Sequence, residues 1–344
     1  MKVAIVGGGL AGCALAHILD FVGATPIIFE RGPSLGSGAS GNSIGLYNPR
    51  FTAERSPQSD YYASAFSAAL RIFARLEDID WNPCGALHLI NDEKKKKRFY
   101  QTVDNWGWMP EELCIVDQDA ASEIAGIELQ HEAMYLPKSG SVSPEKLCKA
   151  YAEGVDLHVN APDDAWRDID ADAVVLACGP AVKQYLPQLP IDTVRGQITE
   201  VSATERSSKI NTAICYGGYM SAAVDDMHIV GSTFQRWLDH TDILEQDVLD
   251  NLAKMAENIP GLDDGMEIIG QRASIRAASK DYFPIVGKAP ANDLGVDNLY
   301  VTAAHGSHGI LSTLTAAKLL TDMITGRPYS LSKDTVEALN PMRF

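Results

Sequence analysis

The chain of 344 residues has no pair of cysteines at the C-x-x-C spacing that dithiol chemistry uses. This absence argues against a disulfide reductase. The cysteines stand far apart and most lie in apolar runs, so we expect buried, reduced thiols of a cytosolic protein. The six are Cys13, Cys84, Cys114, Cys148, Cys178 and Cys215.

Two other features are missing from the sequence. No apolar run is long enough to cross a membrane, and no cluster of histidine, cysteine and carboxylate side chains has metal-ligand spacing. Met1 lies almost in the first predicted strand, so we expect no signal peptide. The sequence therefore predicts a cytoplasmic protein without a membrane segment or a metal site.

Positive charge is scarce, because 29 lysines and arginines stand against 45 acidic residues and the formal net charge is −16. Such a surface does not attract nucleic acid as a whole, and a polyanion would have to meet a local basic patch. Lys94 to Arg98 is a run of five positive charges. We interpret it as a solvated helix face, with contact to a polyanion as the alternative.

The first 31 residues carry the most informative pattern. Val3 to Val6 predicts a buried strand, and Gly7, Gly9 and Gly12 follow at G-x-G-x-x-G spacing before an apolar helix. The first glycine permits the turn, the second lets backbone approach a pyrophosphate, and the third lets helix and strand pack closely. Glu30 ends a second strand and can accept from both ribose hydroxyls. The pattern predicts a dinucleotide site, with a purely structural strand–turn–helix as the alternative.

The acid at the end of the second strand also restricts the cofactor. Glu30 would repel a 2′-phosphate, so NADP is disfavoured, while FAD and NAD both remain open at this point. The loop from Gly32 to Gly45 is rich in small residues and could approach a ligand or form a flexible surface loop.

The rest of the chain alternates between two patterns. Residues 172–179 predict a buried strand, 194–232 an antiparallel sheet and 244–259 a helix. The opening pattern returns at the end, with a strand at 298–304, a glycine turn and a helix at 310–325. We expect this last unit to pack beside the first. At this length the chain can form one large domain or two intertwined ones.

The N-terminus of the last predicted helix could stabilise a reduced flavin. A helix N-terminus carries partial positive charge and free N–H groups, and a reduced flavin carries negative charge at one ring edge. Gly309, Ile310 and Leu311 at that N-terminus would stabilise it. No second G-x-G-x-x-G is present to bind NADH. An oxidase, or a dehydrogenase with another acceptor, therefore fits better than an NADH-linked reductase.

The chain resembles the flavoprotein superfamily of D-amino-acid oxidase and glycine/sarcosine oxidase over nearly its whole length. The resemblance rests on the first glycine loop with Glu30, and on the segments Val174–Gly179, Arg276–Gly287 and Gly306–Leu311. It implies an α/β fold in which a Rossmann-like FAD-binding domain is interleaved with a mostly antiparallel substrate domain. We assign residues 1–82, 141–194 and 268–344 to the FAD-binding domain, and 83–140 and 195–267 to the substrate domain.

A more specific resemblance is to the oxidase half of the MnmC family, bifunctional enzymes that modify a wobble uridine in tRNA. Its marks are the runs Gly38–Asn42, Tyr47–Pro49, Val194–Gln197, Cys215–Tyr219 and Leu339–Phe344. This sequence departs from the family in lacking the methyltransferase half, which implies a stand-alone oxidase with a possible separate methyltransferase partner. The loop after Asn42 also differs, and the acidic net charge is awkward for a tRNA partner.

The superfamily resemblance implies oxidation of an amine that bears a carboxylate, by hydride transfer to the flavin and reoxidation by O2 or another acceptor. The closer resemblance implies the carboxymethylaminomethyl group of wobble uridine in tRNA as substrate, with release of glyoxylate. The alternative substrate is a free small amino acid such as glycine, sarcosine or proline. A flavin-binding assembly subunit is a third hypothesis.

Three residues are the predicted catalytic set. Arg276 aligns with the superfamily's substrate arginine and would hold the carboxylate in bidentate geometry, unless it forms a salt bridge with an acid such as Asp281. Tyr219 aligns with a tyrosine that helps to hold the same carboxylate, unless it is a core tyrosine. His308 would face the ring or the substrate, unless it only caps the helix, and the same holds for His305. Arg272 is a weaker second candidate for the clamp.

The remaining site residues are predicted to bind the cofactor. No cysteine stands in the last glycine turn, so we expect the FAD to be non-covalent. The predicted cofactor-binding residues are Gly7, Gly9, Leu10, Ala11, Gly12, Glu30, Arg31, Ser40, Asn42, Gly179, Gly306, Ser307, His308, Gly309, Ile310 and Leu311.

Overall fold

A computed structural model describes residues 1–344. The strands are β1 (Lys2–Val6), β2 (Thr25–Phe29), β3 (Gly45–Tyr47), β4 (Ala86–Leu89), β5 (Cys114–Val116), β6 (Ala133–Leu136), β7 (Gly140–Val142), β8 (Asp156–His158), β9 (Ala173–Leu176), β10 (Ile191–Ser202), β11 (Ala213–Cys215), β12 (Tyr219–Met220), β13 (Met227–Gly231), β14 (Ile268–Ser279), β15 (Ile285–Lys288) and β16 (Leu299–Ala303). The α-helices are α1 (Leu10–Phe21), α2 (Pro57–Phe73), α3 (Glu93–Trp106), α4 (Gln118–Ala125), α5 (Pro144–Tyr151), α6 (Val182–Tyr185), α7 (Glu245–Asn258), α8 (Gly309–Thr325) and α9 (Lys333–Leu339).

The predicted strand–turn–helix at the N-terminus is present as β1, α1 and β2. β1 pairs in parallel with β2 on one side and with β9 on the other. Gly12, on the first turn of α1, lies against the turn that leaves β1, and a Cβ atom there would be 1.9 Å from the carbonyl oxygen of Gly7. Gly7 itself has φ +115°, a conformation that favours glycine. The first and third glycines of the motif are therefore required by the close contact between helix and strand.

Six strands form the first sheet, in the order β15-β16-β9-β1-β2-β8. All neighbours are parallel except β15 and β16. Side chains alternate across β1, so that Val3 and Ile5 join one hydrophobic cluster and Ala4 and Val6 another. Both faces of this parallel sheet are thus covered, as the apolar run in the sequence requires.

The C-terminal unit returns to this sheet. β16 lies next to β9, one strand away from β1, and helix α8 packs against α1. The expectation that the last strand–turn–helix packs beside the first is confirmed for the helices, with β9 between the two strands. Helix α8 ends at Thr325, and Gly326 follows it in the left-handed conformation, as the glycine in the sequence predicts.

Eight strands form the second sheet, in the order β14-β10-β13-β12-β11-β4-β6-β5. Every neighbouring pair is antiparallel except β11 and β4. Helices α4 and α7 contribute to the apolar cluster that covers one face of this sheet. The predicted fold class, a parallel α/β unit interleaved with a mostly antiparallel one, is confirmed.

The pairing of the long strand β14 bears on the predicted domain boundaries. It pairs with β10 along nearly its whole length, from Ile191 opposite Ser279 to Val201 opposite Ile268. Residues 268–279 were assigned to the FAD-binding segment, but their hydrogen bonds join them to the eight-stranded sheet. The domain boundaries stay a proposal, and strand pairing favours moving this strand to the substrate domain.

Two smaller expectations can be compared directly. All six cysteines are free, but only Cys13 and Cys148 are fully buried and the other four are half-buried. The prediction of buried thiols was therefore too broad, because Cys84, Cys114, Cys178 and Cys215 lie near strand ends.

Among the nine α-helices, none combines the length and the apolar character that crossing a membrane requires.

The contact at Gly12 gives a test of the fold. We expect Gly12→Ala to push α1 away from β1 and to lower the free energy of unfolding by about 1–3 kcal/mol, the usual cost of overpacking. Gly38→Ala is the matched control, because open space surrounds that position and its φ is not in the left-handed region. Urea unfolding of both variants measures the difference. An unchanged midpoint for Gly12→Ala would show that close packing is not the reason for this glycine.

Candidate active site

A cavity of about 1150 Å³ lies between the two sheets and receives residues from both. Every predicted catalytic residue borders it, and so does every predicted cofactor-binding residue except Gly12. Gly12 lies behind the loop, packed on the carbonyl of Gly7, so that its contribution is to packing and not to ligand contact. The volume exceeds the range of about 300–1000 Å³ that is usual for small-ligand pockets.

The N-terminus of α1 opens into one end of the cavity. Gly9 caps the helix without a side-chain hydrogen bond, and the first turn carries no acid. Ser40 covers one amide, since its Oγ accepts from the N–H of Leu10 at 3.0 Å. Other first-turn amides, such as that of Ala11, lack an intrahelical partner. An uncapped helix N-terminus of this kind attracts a phosphate group.

Glu30 is held by backbone at the end of β2. Its Oε2 accepts from the N–H of Gly8 at 2.7 Å and its Oε1 from the N–H of Gly32 at 2.6 Å. Each oxygen keeps further lone pairs, and the side chain borders the cavity. Arg31 is exposed beside it. The carboxylate is therefore oriented and still able to accept from ribose hydroxyls, as the sequence predicts.

The N-terminus of α8, which packs beside α1 on the same face of the sheet, opens into the same cavity. Gly306 has φ +57°, and His308 caps the helix without a side-chain hydrogen bond. No acid lies in the first turn. Both Ile310 and Leu311 border the cavity. The geometry suits the negative edge of a reduced flavin, which was the use predicted for this helix.

The two histidines of this turn differ in their contacts. His305 contacts Thr302 Oγ1 at 2.9 Å through Nε2 and Ser312 Oγ at 2.8 Å through Nδ1, so that both nitrogens are engaged in packing the turn. His308 stacks at a tilt 5.2 Å from the ring of Tyr62. Burial lowers the pKa of His305 to about 4 and, with Arg50 nearby, that of His308 to about 4. Both imidazoles are neutral at pH 7.

The glycine-rich loop is tied down by Arg272. This guanidinium donates to the carbonyl of Gly38 at 2.5 Å and to Asn42 Oδ1 at 2.9 Å. Burial lowers the pKa of Arg272, and Glu145 and Glu200 act in the opposite direction. Arg272 therefore holds the loop against β14, and its hydrogen bonds are used there and not in a substrate clamp. The alternative of a flexible loop does not fit these contacts.

Arg276 lies on β14 opposite Val194 of β10. Its Nη2 donates to Ser232 Oγ at 3.1 Å, while its Nη1 is buried without a hydrogen-bond partner. No carboxylate lies within ion-pair distance, and Asp281 is instead paired with Arg343 at 2.9 Å. The alternative of a structural salt bridge to Asp281 was wrong. A buried guanidinium with a free N–H in a cavity wall calls for an anionic ligand.

Gly196 makes the room that this guanidinium occupies. A Cβ at Gly196 would lie 2.1 Å from Nη1 of Arg276. The neighbouring Arg195 is fully buried and paired with Asp247, and it donates to Gln235 Oε1 at 2.6 Å and Gln197 Oε1 at 2.8 Å. The run Val194–Gln197 thus supports the site from behind: one arginine anchors α7 and the glycine admits the other arginine.

Tyr219 is close enough to Arg276 for their charges to interact. Burial raises the pKa of Tyr219 to about 12, and the guanidinium of Arg276 opposes this rise. Burial lowers the pKa of Arg276, and the tyrosine opposes that change. At pH 7 the pair is a neutral hydroxyl beside a cation, and both can donate to one carboxylate.

Two cavity residues were missed by sequence reasoning. Asn48 Oδ1 and His88 Nε2 are buried without hydrogen-bond partners, and both side chains flank Cys215. Burial, with Arg98 and Lys95, lowers the pKa of His88 to about 4. The sequence signals for them were the polar His88 within the apolar strand at 86–89 and Asn48 within the run Tyr47–Pro49. Both residues border the cavity, so these orphaned polar atoms suit a polar ligand there.

Together these features fit a flavin dinucleotide. The two uncapped helix N-termini suit a pyrophosphate and an anionic ring edge, and Glu30 suits a ribose. Arg276 then remains as a cation beside the space for the ring. No group of three or more histidine, cysteine, aspartate or glutamate side chains is arranged to bind a metal ion.

Comparison with known proteins agrees with this geometry. The chain is 32% identical to a protein of Chromobacterium violaceum, over 99% of the chain and 59% of the relative. A relative from Methylobacillus flagellatus is 29% identical, over 100% of the chain and 59% of its own length. Both are named tRNA 5-methylaminomethyl-2-thiouridine biosynthesis bifunctional protein MnmC. The chain thus spans about three fifths of the length of these relatives.

Solved structures share the fold. Glycine oxidase from Geobacillus kaustophilus superimposes with a TM-score of 0.83 at 22% identity, covering 100% of this chain and 99% of that one. L-Proline dehydrogenase from P. horikoshii superimposes with a TM-score of 0.80 at 17% identity, covering 100% and 97%. The profile of the family described as FAD dependent oxidoreductase, DAO, matches residues 2–323. The chain therefore belongs to the DAO family of FAD-dependent oxidoreductases.

Proposed function

We propose that this chain oxidises a C–N bond in the carboxymethylaminomethyl group of a wobble uridine in tRNA. The observation that carries the proposal is the unpaired guanidinium of Arg276 in the cavity wall. It supports an amine substrate that carries a carboxylate. The named function of the relatives, biosynthesis of a modified uridine in tRNA, supports the choice of this amine.

The residues of the chain hold both cofactor and substrate. FAD, held without a covalent bond through the N-termini of α1 and α8 and through Glu30, supplies the acceptor for a hydride. Arg276, fixed by Ser232, binds the substrate carboxylate through two N–H groups, and Tyr219 donates a third hydrogen bond. The clamp orients the adjacent C–H bond, which is the main task of a site that needs little acid–base chemistry.

The reaction balances without a protein nucleophile. The methylene between nitrogen and carboxylate loses a hydride, and the nitrogen lone pair forms the imine. Water adds to the imine, and its collapse releases glyoxylate and leaves an aminomethyl group on the uridine. O2 or another acceptor removes the two electrons. His308 borders the cavity and is neutral at pH 7, because burial and Arg50 lower its pKa to about 4.

The product indicates the reaction that follows. An aminomethyl group lacks the N-methyl group that the relatives' name contains, so the next step must be N-methylation. The proposed partner is a methyltransferase activity, in the same or another polypeptide. The proposed location is the cytoplasm, where tRNA is modified.

An anaerobic assay separates this proposal from the main alternative. The flavin absorbance of the purified protein is followed during mixing with tRNA that carries the carboxymethylaminomethyl group, and with glycine, sarcosine and proline. We expect bleaching and glyoxylate release with the tRNA at micromolar concentration. Bleaching by a free amino acid with none by the tRNA would replace the proposal by an amino-acid oxidase. Absence of bleaching by every amine would leave a flavin-binding subunit.

Removal of the clamp gives the second prediction. We expect Arg276→Met to weaken binding of the carboxylate by about 2–5 kcal/mol, the range for truncation of a buried charged pair. Arg276→Lys retains the charge but loses the bidentate guanidinium, so its kcat/KM should lie between those of Arg276→Met and the wild type. The measurement is kcat/KM, with the flavin spectrum as a check that FAD is still bound. A wild-type KM in Arg276→Met would contradict the proposed clamp.

Tyr219 should have a smaller effect. We expect Tyr219→Phe to cost about 0.5–1.5 kcal/mol in kcat/KM, because one neutral hydrogen bond is lost. Tyr216→Phe is the matched control, since that hydroxyl donates to the carbonyl of Tyr219 at 3.2 Å and not to the clamp. If both variants lose the same amount, the tyrosine acts through packing alone.

The buried histidines predict how stability depends on pH. His305 binds a proton with a pKa of about 4 when folded, below its usual value of 6.5. The unfolded chain therefore binds more protons between these values, and stability is lost as the pH falls from about 6.5 to 4. We expect the free energy of unfolding of His305→Gln, measured with urea at pH 7, 6 and 5, to decrease less as the pH falls than that of the wild type. His158→Gln, an exposed position, is the control; an unchanged slope in His305→Gln would contradict this.

A further inference from the structure

The basic run of α3 presents two different faces. Lys95, which is half-buried, and Arg98, which is exposed, border the cavity one helical turn apart, whereas the exposed Lys94 and Lys97 do not border it. Lys96 is paired with Glu132 at 2.8 Å. The interpretation of the run as a solvated face therefore describes only part of it. Two of its five cations lie at the wall of the cavity that contains Arg276.

A third cation joins them from α7. Lys254 donates to the carbonyl of Gly217 at 2.7 Å, and Lys95 donates to the carbonyl of Tyr216 at 3.2 Å and to Asn91 Oδ1 at 2.5 Å. Both ammonium groups thus flank the turn at 216–218, which leads directly into Tyr219. We call Lys95, Arg98 and Lys254 the cationic rim.

The chain neutralises the rim only weakly. Asp92 approaches Lys95 only to 4.0 Å, and neither Arg98 nor Lys254 has a carboxylate within ion-pair distance. Burial lowers the pKa of Lys95, and so do Arg98 and Lys254, while Asp92 and Glu257 oppose them. In a chain with a net charge of −16, Lys95 therefore lies beside two further cations, Arg98 at the cavity wall and Lys254 at the turn next to it. Such an arrangement favours an anion that bridges them.

The positions of the charges along the cavity define the occupant. The strand order of the second sheet sets these groups in sequence, with Arg276 on β14, Tyr219 on β12 and His88 on β4. Cys215 of β11 lies between Tyr219 and His88, and Asn48 contacts it. Arg98 and Lys95 follow on α3, near enough to His88 to lower its pKa. A free amino acid has one anionic group and fills only the first of these positions. A nucleotide with a carboxylate at the end of its base substituent has a carboxylate, a polar base edge and a phosphate in the same order.

We propose that the cationic rim binds a backbone phosphate of the RNA strand whose modified base enters the cavity. The proposal rests on the proposed function, because it takes the amine to be carried by RNA. The rim is then the feature that selects an RNA-borne amine over a free one. Phosphate contacts supply most of the affinity of such complexes and make it dependent on salt.

The experiment compares the rim cations of α3 and α7 with the cations on the exposed face of α3. The rim variants are Arg98→Gln, Lys254→Gln and the double variant, and the control is Lys94→Gln with Lys97→Gln, which removes the same charge from the exposed face. The substrates are a tRNA anticodon stem-loop and the free nucleoside, each carrying the carboxymethylaminomethyl group. Affinity for the stem-loop is measured by fluorescence anisotropy at several salt concentrations, independently of oxidation.

We expect the double rim variant to bind the stem-loop at least about tenfold more weakly, and the slope of log affinity against log salt to fall by about 0.7 for each lost contact. The ratio of kcat/KM for stem-loop over nucleoside should fall by the same factor. The control should keep the wild-type slope. Equal losses in the control, or an unchanged slope in the rim variant, would overturn the proposal. If the wild type binds the stem-loop but oxidises neither substrate, the proposed function fails while the slope still decides the rim.

Discussion

The guanidinium of Arg276 is a buried charge without a counter-ion in its own chain, and the rest of the site is arranged around it. The chain has 45 acidic side chains, yet none lies within ion-pair distance of this arginine. Burying an unpaired charge is costly unless a ligand completes it. In the proposed function a substrate carboxylate offsets that cost, while Asp281 is held by Arg343.

Holding such a charge requires a rigid support. β10 and β14 pair over almost their full length, which fixes the position of Arg276 opposite Val194. Gly196 provides the space, and the buried pair of Arg195 and Asp247 connects β10 to the first turn of α7. The substrate end of the cavity therefore belongs to the antiparallel sheet. The cofactor end belongs to the parallel sheet, whose two uncapped helices, α1 and α8, open into the same space.

The two sheets contribute different parts of the site. The parallel sheet offers backbone amides and the carboxylate of Glu30, which suit a dinucleotide. In the proposed function, Arg276 of the second sheet binds the substrate carboxylate. The wall that carries Asn48 and His88, with the cationic rim beside it, would then distinguish one carboxylate-bearing amine from another. Selection by such groups requires that polar atoms are left unpaired until the right ligand fills them.

Local sequence was sufficient for the cofactor end of this protein. The glycines at 7, 9 and 12, the acid at 30 and the turn at 306–309 act through backbone conformation and short spacings, which a single sequence displays. They predicted α1, α8 and most of the parallel sheet, and they are the basis of the proposed contacts with FAD. Arg276 and Tyr219 were found only through a resemblance, because nothing in their neighbourhood marks a clamp.

Tertiary structure decided what depends on contacts between distant segments. β14 pairs with β10 and carries Arg276, which has no counter-ion, and Arg272, which binds the loop at 37–42. Asp281, just after this strand, pairs with Arg343 near the C-terminus. The packing of α3 likewise decided that Lys95 and Arg98 border the cavity while Lys94 and Lys97 of the same run do not. Charge balance around a side chain is a sum over neighbours in space, and spacing along the chain does not contain that sum.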